Sequence, residues 1–244
     1  MKYVAPVLIA AALATGCAST GGAFDGVQGI VADFVLPPEQ AAQLGARAAS
    51  EIEAKKRTYR NAGLEQIGHR LLAQAGPLPR AYAFTFKVID EGKTVNAFAL
   101  PGGQIYATSA MMQLASTEGQ IAAVLAHEIA HVTERHVAER LAADYSIQAL
   151  TAAALGQNAG AVTQLAGSVL QQGFLMRYSR SHELEADRVG LGLMRRAGYN
   201  PRDAVTIFRK LESGSGGGSP EFLSSHPSNE RRIEQLEDLI RRGS

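Results

Sequence analysis

The chain of 244 residues contains a single cysteine and no tryptophan, and it carries a formal net charge of +1. A lone cysteine excludes disulfides and thiolate metal sites built within the chain, so any bound metal has to be held by His, Asp and Glu. The near-neutral charge, without interleaved aromatic and basic residues, gives no electrostatic argument for nucleic acid, and we predict no nucleic-acid partner. The hydrophobic content of 46% is ordinary for a globular protein.

Long apolar runs are also scarce, and the clearest one lies at the N-terminus. Lys2 precedes an apolar stretch from Val4 to Ala14 that only Pro6 interrupts. This stretch is too short to cross about 30 Å of hydrocarbon, so it predicts a secretory signal rather than a membrane span. Cys17 follows in a context that resembles the bacterial lipobox, although Ala14 stands where the lipobox usually has leucine. The alternative is an ordinary signal peptide with an incidental cysteine.

These features divide the chain into three expected parts. We predict a lipoprotein signal peptide over residues 1–16, a lipidated Cys17 with a flexible tether over residues 17–36, and one folded domain over residues 37–244. Ala18, in place of aspartate, follows the bacterial sorting pattern for the outer membrane. The expected location is therefore the periplasm, with the chain attached to the outer membrane through its N-terminal lipid.

The run His127-Glu128-Ile129-Ala130-His131 carries the strongest chemical signal. Apolar residues at helical spacing, and Thr117 with Gln120 as a capping box, predict a helix here. On that helix the two histidines lie about 40° apart and can point at one ion. Glu128, rotated by roughly 100°, can reach a water on that ion without binding the ion itself. This H-E-x-x-H arrangement is typical of zinc hydrolases, and the alternative is two ordinary histidines.

Catalytic zinc typically has three protein ligands, so a third ligand must lie elsewhere. His136 comes five residues after His131, rotated by about 140° on a helix, and we expect it to point away from the metal and make a structural hydrogen bond. Glu183 and Asp187 are four residues apart and share a helix face. We predict that Glu183 binds the metal and that Asp187 accepts the N–H of a ligating histidine. The alternative is that both acids pair with nearby arginines.

The remaining pattern predicts a mostly helical α+β domain. Alternating aromatic and β-branched residues, separated by turns, predict a small antiparallel sheet directly before the metal helix. Residues 142–173 are rich in alanine and glycine, and we favour two soluble helices there over a membrane segment because glutamines interrupt the run. Further helices are predicted over residues 39–56, 64–72, 179–197, 201–211 and 229–242, and strands over 83–89, 95–100 and 104–107.

Three motifs occur in order along the chain. They are Asn96-Ala97-Phe98-Ala99-Leu100-Pro101-Gly102-Gly103, the H-E-x-x-H run, and Glu183-x-x-x-Asp187. In this combination the chain, from about Leu64 to its C-terminal helix, resembles peptidase family M48, whose gluzincin zinc endopeptidases include bacterial envelope lipoproteins. The resemblance implies a zincin-like metalloprotease domain with a small antiparallel sheet beside the H-E-x-x-H helix.

The same resemblance implies a set of site residues, one Zn²⁺ per chain and polypeptide substrates. Zinc is expected on His127, His131 and Glu183, with Glu128 as general base and Asp187 behind a ligand. The backbone of a substrate is expected to pair with an edge strand formed by Asn96, Ala97, Phe98, Ala99 and Leu100.

His226 lies in a Ser-His-Pro segment that is similar to one common in these peptidases. The segment can simply be a turn that leads into the last helix. Alternatively, His226 can stabilise an oxyanion, or it can act as a fourth metal ligand that holds an enzyme inactive.

The leading hypothesis is a zinc endopeptidase that cleaves unfolded or misassembled envelope proteins, with Glu128 activating a zinc-bound water. The alternative is an envelope assembly or chaperone-like factor whose zinc site is structural or latched, with outer-membrane assembly proteins as partners. A zinc amidase acting on cell-wall peptides fits the location but not the set of motifs.

Overall fold

A computed structural model describes residues 36–144, 178–214, 221–227 and 230–243. The predictions for the signal peptide, for Cys17 and its tether, and for most of the 142–173 segment lie outside these ranges. Within them, no helix combines the length and the apolar character needed to cross a bilayer.

The described ranges contain helices and short strands in an α+β arrangement, as predicted. The helices are α1 Pro38–Lys55, α2 Ala62–Leu72, α3 Ser109–Leu114, α4 Glu118–Thr133, α5 His136–Asp144, α6 Arg180–Arg196, α7 Arg202–Glu212, α8 Phe222–Ser225 and α9 Glu230–Arg242. The strands are β1 Thr58–Tyr59, β2 Thr85–Ile89, β3 Ala97–Ala99 and β4 Gln104–Thr108.

The sheet is mixed, which corrects the expected antiparallel pairing. Its order is β1-β2-β4-β3, and β2 pairs with β4 in parallel, Thr85 facing Gln104 and Ile89 facing Thr108. The β1–β2 and β3–β4 pairs are antiparallel. The expectation assumed that neighbours in the chain pair in order, but β4 rather than β3 lies next to β2, and the tight turn at Gly102 and Gly103 reverses the chain between β3 and β4. The two edge strands are therefore β1 and β3.

The sheet separates two apolar clusters. Ala97, Ala99 and Ile105 belong to the larger cluster, which includes α2, α4, α6 and α7. Phe98 and Tyr106, which point to the opposite face, belong to a second cluster with α1. The H-E-x-x-H helix thus packs on one face of the sheet, and α1 covers the other.

Helix α4 is the central element of the larger cluster. Its N-cap is Thr117, whose Oγ1 accepts a hydrogen bond from the Gln120 amide at 3.2 Å, as the sequence predicts. Every residue from Gly119 to Val132 is buried, because the helix is surrounded by α2, α6, α7 and β3. A helix that is buried on all sides can carry polar side chains only where neighbouring elements supply hydrogen-bonding or charged partners.

Close contact between α4 and α6 depends on Gly190. A Cβ at this position would lie 3.1 Å from the carbonyl carbon and oxygen of Ala126 and from the amide nitrogen of His127. Helix α6 follows the N-cap Ser179, whose hydroxyl accepts from the amide of His182. The absence of a side chain at Gly190 therefore lets α6 approach the backbone of the helix that carries the two histidines.

We expect Gly190→Ala to be less stable than Gly192→Ala by about 1–3 kcal/mol in the free energy of unfolding. An added methyl at Gly190 meets main-chain atoms, whereas at Gly192 it meets only the end of the flexible Arg196 side chain, 3.2 Å away. Both changes improve helix propensity equally, so the difference isolates the helix contact. Urea unfolding of both variants measures it, and equal stabilities would contradict the close approach.

Candidate metal centre

Helix α4 presents His127 and His131 side by side, and α6 brings Glu183 against them. The Nε2 atoms of the two histidines are 3.1 Å apart. Glu183 Oε2 lies 3.4 Å from Nε2 of His127, and its Oε1 lies 3.4 Å from Nε2 of His131. All three side chains are buried. The structure therefore brings the three predicted ligands together.

His226 completes this group of potential donor atoms. It follows α8, and its Nδ1 lies 3.2 Å from Nε2 of His127 and 3.1 Å from Oε1 of Glu183. The four residues each offer one atom within 4.8 Å of the other three. A tetrahedral ion with bonds of about 2.0–2.1 Å separates its ligand atoms by about 3.3 Å. The observed spacings of 3.1–3.4 Å fit such an ion.

The charges around the four donors also fit a divalent cation. Glu128, Glu183 and Asp187 place three carboxylates in the core, all buried. One guanidinium faces them: Arg232 Nε and an Nη contact Asp187 at 2.7 and 2.8 Å, and its other Nη contacts Glu183 at 2.6 Å. If all three carboxylates are ionised, two negative charges remain for a metal ion to neutralise.

Sequence reasoning missed Arg232. The residue lies in α9 four positions before the buried Leu236, so it occupies the apolar face of that helix and is itself buried. The sequence signal that could have identified Arg232 is a charged residue in the apolar stripe of an amphipathic helix. Its guanidinium also lies over the ring of Phe208, 4.9 Å from the centroid.

The buried acids differ in their electrostatic environment. Burial raises the pKa of Glu128 above its ordinary value, and the nearby histidines only partly oppose this. Burial also acts on Glu183 and Asp187, but His226 and Arg232 beside Glu183, and Arg232 beside Asp187, outweigh it and lower both pKa values. Glu183 and Asp187 are thus kept ionised, whereas Glu128 readily accepts a proton.

The same carboxylates act on His127. Burial by itself lowers the pKa of this histidine, but Glu183 and Asp187 outweigh burial and raise it to about 9. The Oδ1 atom of Asp187 lies 3.0 Å from Nδ1 of His127, on the side opposite the donor cluster, where the sequence predicts it. The carboxylates that favour a proton on His127 also favour a metal cation on this ring. Binding of the cation releases the proton.

Glu128 lies between the donor cluster and the edge strand. Its Oε1 is 3.4 Å from Nε2 of His226, and the amide of Ala99 in β3 faces the same carboxylate. In the described part of the chain, neither carboxylate oxygen makes a close hydrogen bond. A buried carboxylate with so few partners is typical of a group that exchanges protons with a ligand or substrate.

The structure places Ala99 of the predicted edge beside this carboxylate. Asn96 and Leu100 exchange hydrogen bonds with β4, so the backbone groups of Val95, Ala97 and Ala99 face away from β4. One of these positions is occupied, since the amide of Phe222 donates to the Val95 carbonyl at 3.1 Å. All five residues from Asn96 to Leu100 are buried.

His136 is not one of the four donors and makes a hydrogen bond, both as expected, but its partner is His131, from which the assumed rotation of about 140° was expected to turn it away. Its Nδ1 lies 2.9 Å from Nδ1 of His131. The expectation assumed one continuous helix, but α4 ends at Thr133 and Arg135 adopts a φ of 62°, which turns the chain back. Tyr178, which sequence reasoning also missed, stacks on the ring of His131 with centroids 3.9 Å apart.

Comparison with known proteins gives a family match and several relatives. The sequence model of peptidase family M48 matches residues 58–240. The chain is 37% identical over 152 residues to the mitochondrial metalloendopeptidase OMA1 of Schizosaccharomyces pombe, covering 60% of this chain and 44% of that protein. It is 32% identical over 184 residues to the beta-barrel assembly-enhancing protease of Escherichia coli K12, covering 70% of this chain and 37% of that protein. The chain thus spans less than half the length of these relatives.

We expect Arg232→Gln to lower the free energy of unfolding of the metal-free protein by about 3–5 kcal/mol, because it leaves two buried carboxylates without their cation. The matched control is Arg209→Gln, which removes an exposed ion pair with Glu237 at 2.6 Å and should cost about 1 kcal/mol or less. Urea unfolding in the presence of a chelator measures both. Equal losses in the two variants would contradict the electrostatic role of Arg232.

Proposed function

Because the chain belongs to peptidase family M48, we propose that it is a zinc-dependent endopeptidase that cleaves unfolded or misassembled proteins in the bacterial cell envelope. One observation carries the proposal: His127, His131, Glu183 and His226 are buried and offer donor atoms within 4.8 Å of one another, and the carboxylate of Glu128 lies beside them. Histidine and carboxylate donors without thiolates are typical of catalytic zinc.

In this proposal His127, His131 and Glu183 hold the metal. A zinc ion held by these residues would supply Lewis-acid chemistry, which polarises a carbonyl group and lowers the pKa of a water molecule. Glu128 would accept a proton from the attacking water and deliver it to the leaving nitrogen, a role that suits a carboxylate whose pKa burial has raised. Asp187 holds the imidazole of His127 in the orientation that directs Nε2 to the metal.

The substrate lies extended along β3. The backbone groups of Ala97 and Ala99 face away from β4, so they can pair with a peptide chain by strand addition once this buried edge is uncovered. A peptide bound there passes the carboxylate of Glu128, which the Ala99 amide faces. Strand addition recognises backbone, not side chains, so the preferred substrates are segments without stable structure.

His226 holds the site closed in this proposal. A fourth protein donor occupies the position that catalytic zinc leaves for water. The same segment contacts the substrate edge, because the Phe222 amide bonds the Val95 carbonyl while Phe222 stacks on His226 with centroids 4.4 Å apart. A peptide that extends along β3 to Val95 must therefore displace the segment that carries His226.

The proposed location follows from the N-terminal pattern. Residues 1–16 act as a signal peptide, Cys17 is lipidated, residues 17–36 form a tether, and residues 37–244 form the peptidase domain at the periplasmic face of the outer membrane. The name of the E. coli relative refers to beta-barrel assembly. Outer-membrane assembly proteins are therefore the proposed partners.

A second candidate function rests on the fourth donor. Structural zinc sites are usually four-coordinate and closed, and His226 makes four donors available here. In that case the protein is an assembly or chaperone-like factor, and zinc serves to hold α4, α6 and the α8 segment together.

We expect Glu128→Gln to keep its zinc and to cleave an unfolded substrate such as casein about 10²- to 10⁴-fold more slowly than wild type, because an amide cannot accept the proton. Glu134→Gln, the same change at the end of the same helix, is the control and should retain wild-type activity. Zinc content and casein cleavage are measured on all three proteins. Full activity in Glu128→Gln would contradict the assignment of Glu128 as the general base.

We expect His226→Ala to cleave a short unstructured peptide several-fold faster than wild type, because it opens the fourth position. His69→Ala, which removes an exposed histidine of α2, serves as the control. Unchanged or lost cleavage would count against the closing role and, in the second case, favour a role in oxyanion stabilisation. If wild type and His226→Ala both hold zinc and neither cleaves peptide, the assembly function is favoured.

A further inference from the structure

The contact between His131 and His136 is a direct one between equivalent ring nitrogens. The two Nδ1 atoms lie 2.9 Å apart, and both rings are buried. Two nitrogens at this distance share a proton, so one must be a donor and the other an acceptor.

Metal binding decides which nitrogen is the donor. Nε2 of His131 faces the donor cluster and must be unprotonated to bind a cation, so Nδ1 of the neutral ring carries the hydrogen. His136 then accepts at Nδ1 and carries its own hydrogen at Nε2, which lies 3.5 Å from Oε2 of Glu185. The contacts on both sides thus select one tautomer for each ring.

The backbone brings His136 to this place by a local break. On a continued helix, His136 would be rotated by about 140° from His131 and could not meet it. Arg135, at a φ of 62°, is the only residue other than glycine with a positive φ in the described ranges. Its carbonyl accepts from the Glu139 amide at 3.0 Å, which starts α5 at His136. An uncommon backbone conformation therefore occurs where it turns one histidine onto another.

Packing on α6 fixes the orientation of the His136 ring. It stacks on the ring of His182 with centroids 4.5 Å apart and planes 13° apart. His182 Nε2 in turn lies 3.0 Å from Oε2 of Glu139. Since α6 also carries Glu183, the element that supplies one ligand supports the residue that orients another.

A histidine suits this position better than a carboxylate. Glu128, Glu183 and Asp187 already place three carboxylates in the core, and Arg232 and a divalent cation balance them when all three are ionised. A neutral imidazole can accept the His131 hydrogen without adding a fourth buried negative charge.

We infer that His136 is a positioning residue, which fixes the tautomer and orientation of His131 for metal binding through the hydrogen bond between their Nδ1 atoms. This inference rests on the metal site proposed above. Glu185, at the far end of the chain of contacts, supports the same tautomer from the protein surface.

The test compares His136→Phe with His136→Asn. Phenylalanine keeps an aromatic ring that can stack but removes the hydrogen-bond acceptor. Asparagine restores an acceptor, because its Oδ1 is the same number of bonds from Cα as the lost Nδ1. The full chain is titrated with Zn²⁺ in competition with a chromophoric chelator, and the metal-free proteins are unfolded in urea. We expect His136→Phe to bind zinc about 10- to 100-fold more weakly and His136→Asn to recover most of this loss.

The two readouts separate positioning from packing. If His136→Phe is less stable but binds zinc like wild type, or if His136→Asn binds as weakly as His136→Phe, the inference is overturned. If wild type itself binds no zinc, the proposed function fails and takes the inference with it. Zinc binding that is equal in wild type and both variants overturns the inference alone.

A partly exposed site provides a variant that should fold in any case. Glu185→Ala removes the carboxylate behind His136, and we expect zinc affinity to fall roughly two- to fivefold. The matched control is Asp238→Ala, which also removes an exposed carboxylate paired with an arginine three positions later on its helix and should stay close to wild type. An effect of Asp238→Ala as large as that of Glu185→Ala would overturn the chain of contacts through His136.

Discussion

The burial of several ionisable groups in one apolar core determines how the elements of this protein are placed. Three carboxylates and the histidines around them lie in the apolar core, where an unpaired ion is very costly. Each element around α4 contributes to the solution. Close approach at Gly190 brings the acids of α6 to the histidines, α9 supplies the guanidinium of Arg232, and the segment after α8 supplies His226. The fold thus brings the buried acids together with the groups that pair with them.

The same arrangement gives chemically identical groups different roles. Arg232 contacts Glu183 and Asp187 directly and keeps both ionised, which suits a metal ligand and a partner of His127. Glu128 receives no such contact, and burial raises its pKa. The contacts with Arg232 thus keep Glu183 and Asp187 ionised, whereas the apolar surroundings of Glu128 let it take up a proton.

The parts of the site that sequence could predict are local in the chain. Helical spacing places His127 beside His131 and Glu183 beside Asp187, and the N-caps Thr117 and Ser179 mark where their helices begin. Contacts between distant segments carry no such periodicity. The parallel β2–β4 pairing, the burial of Arg232 and the stacking of Tyr178 on His131 each depend on packing that a single helix or strand pattern does not encode.

The break at Arg135 shows why local rules fail where they do. A non-glycine residue at positive φ costs about 1–3 kcal/mol, and a helical prediction has no reason to include it. Contacts on both sides hold the turn, since the Arg135 side chain donates to the Leu36 carbonyl and its own carbonyl accepts from Glu139.

Orienting a metal ligand is worth a comparable amount. A partner behind a ligating histidine typically changes metal affinity 10- to 100-fold, and each tenfold corresponds to about 1.4 kcal/mol. The strain and the gain are therefore of similar size, but they arise in different states: the metal-free chain bears the strain, and only the metal-bound chain gains the affinity. A backbone conformation that stability alone would disfavour is thus consistent with a position that contributes to the metal centre.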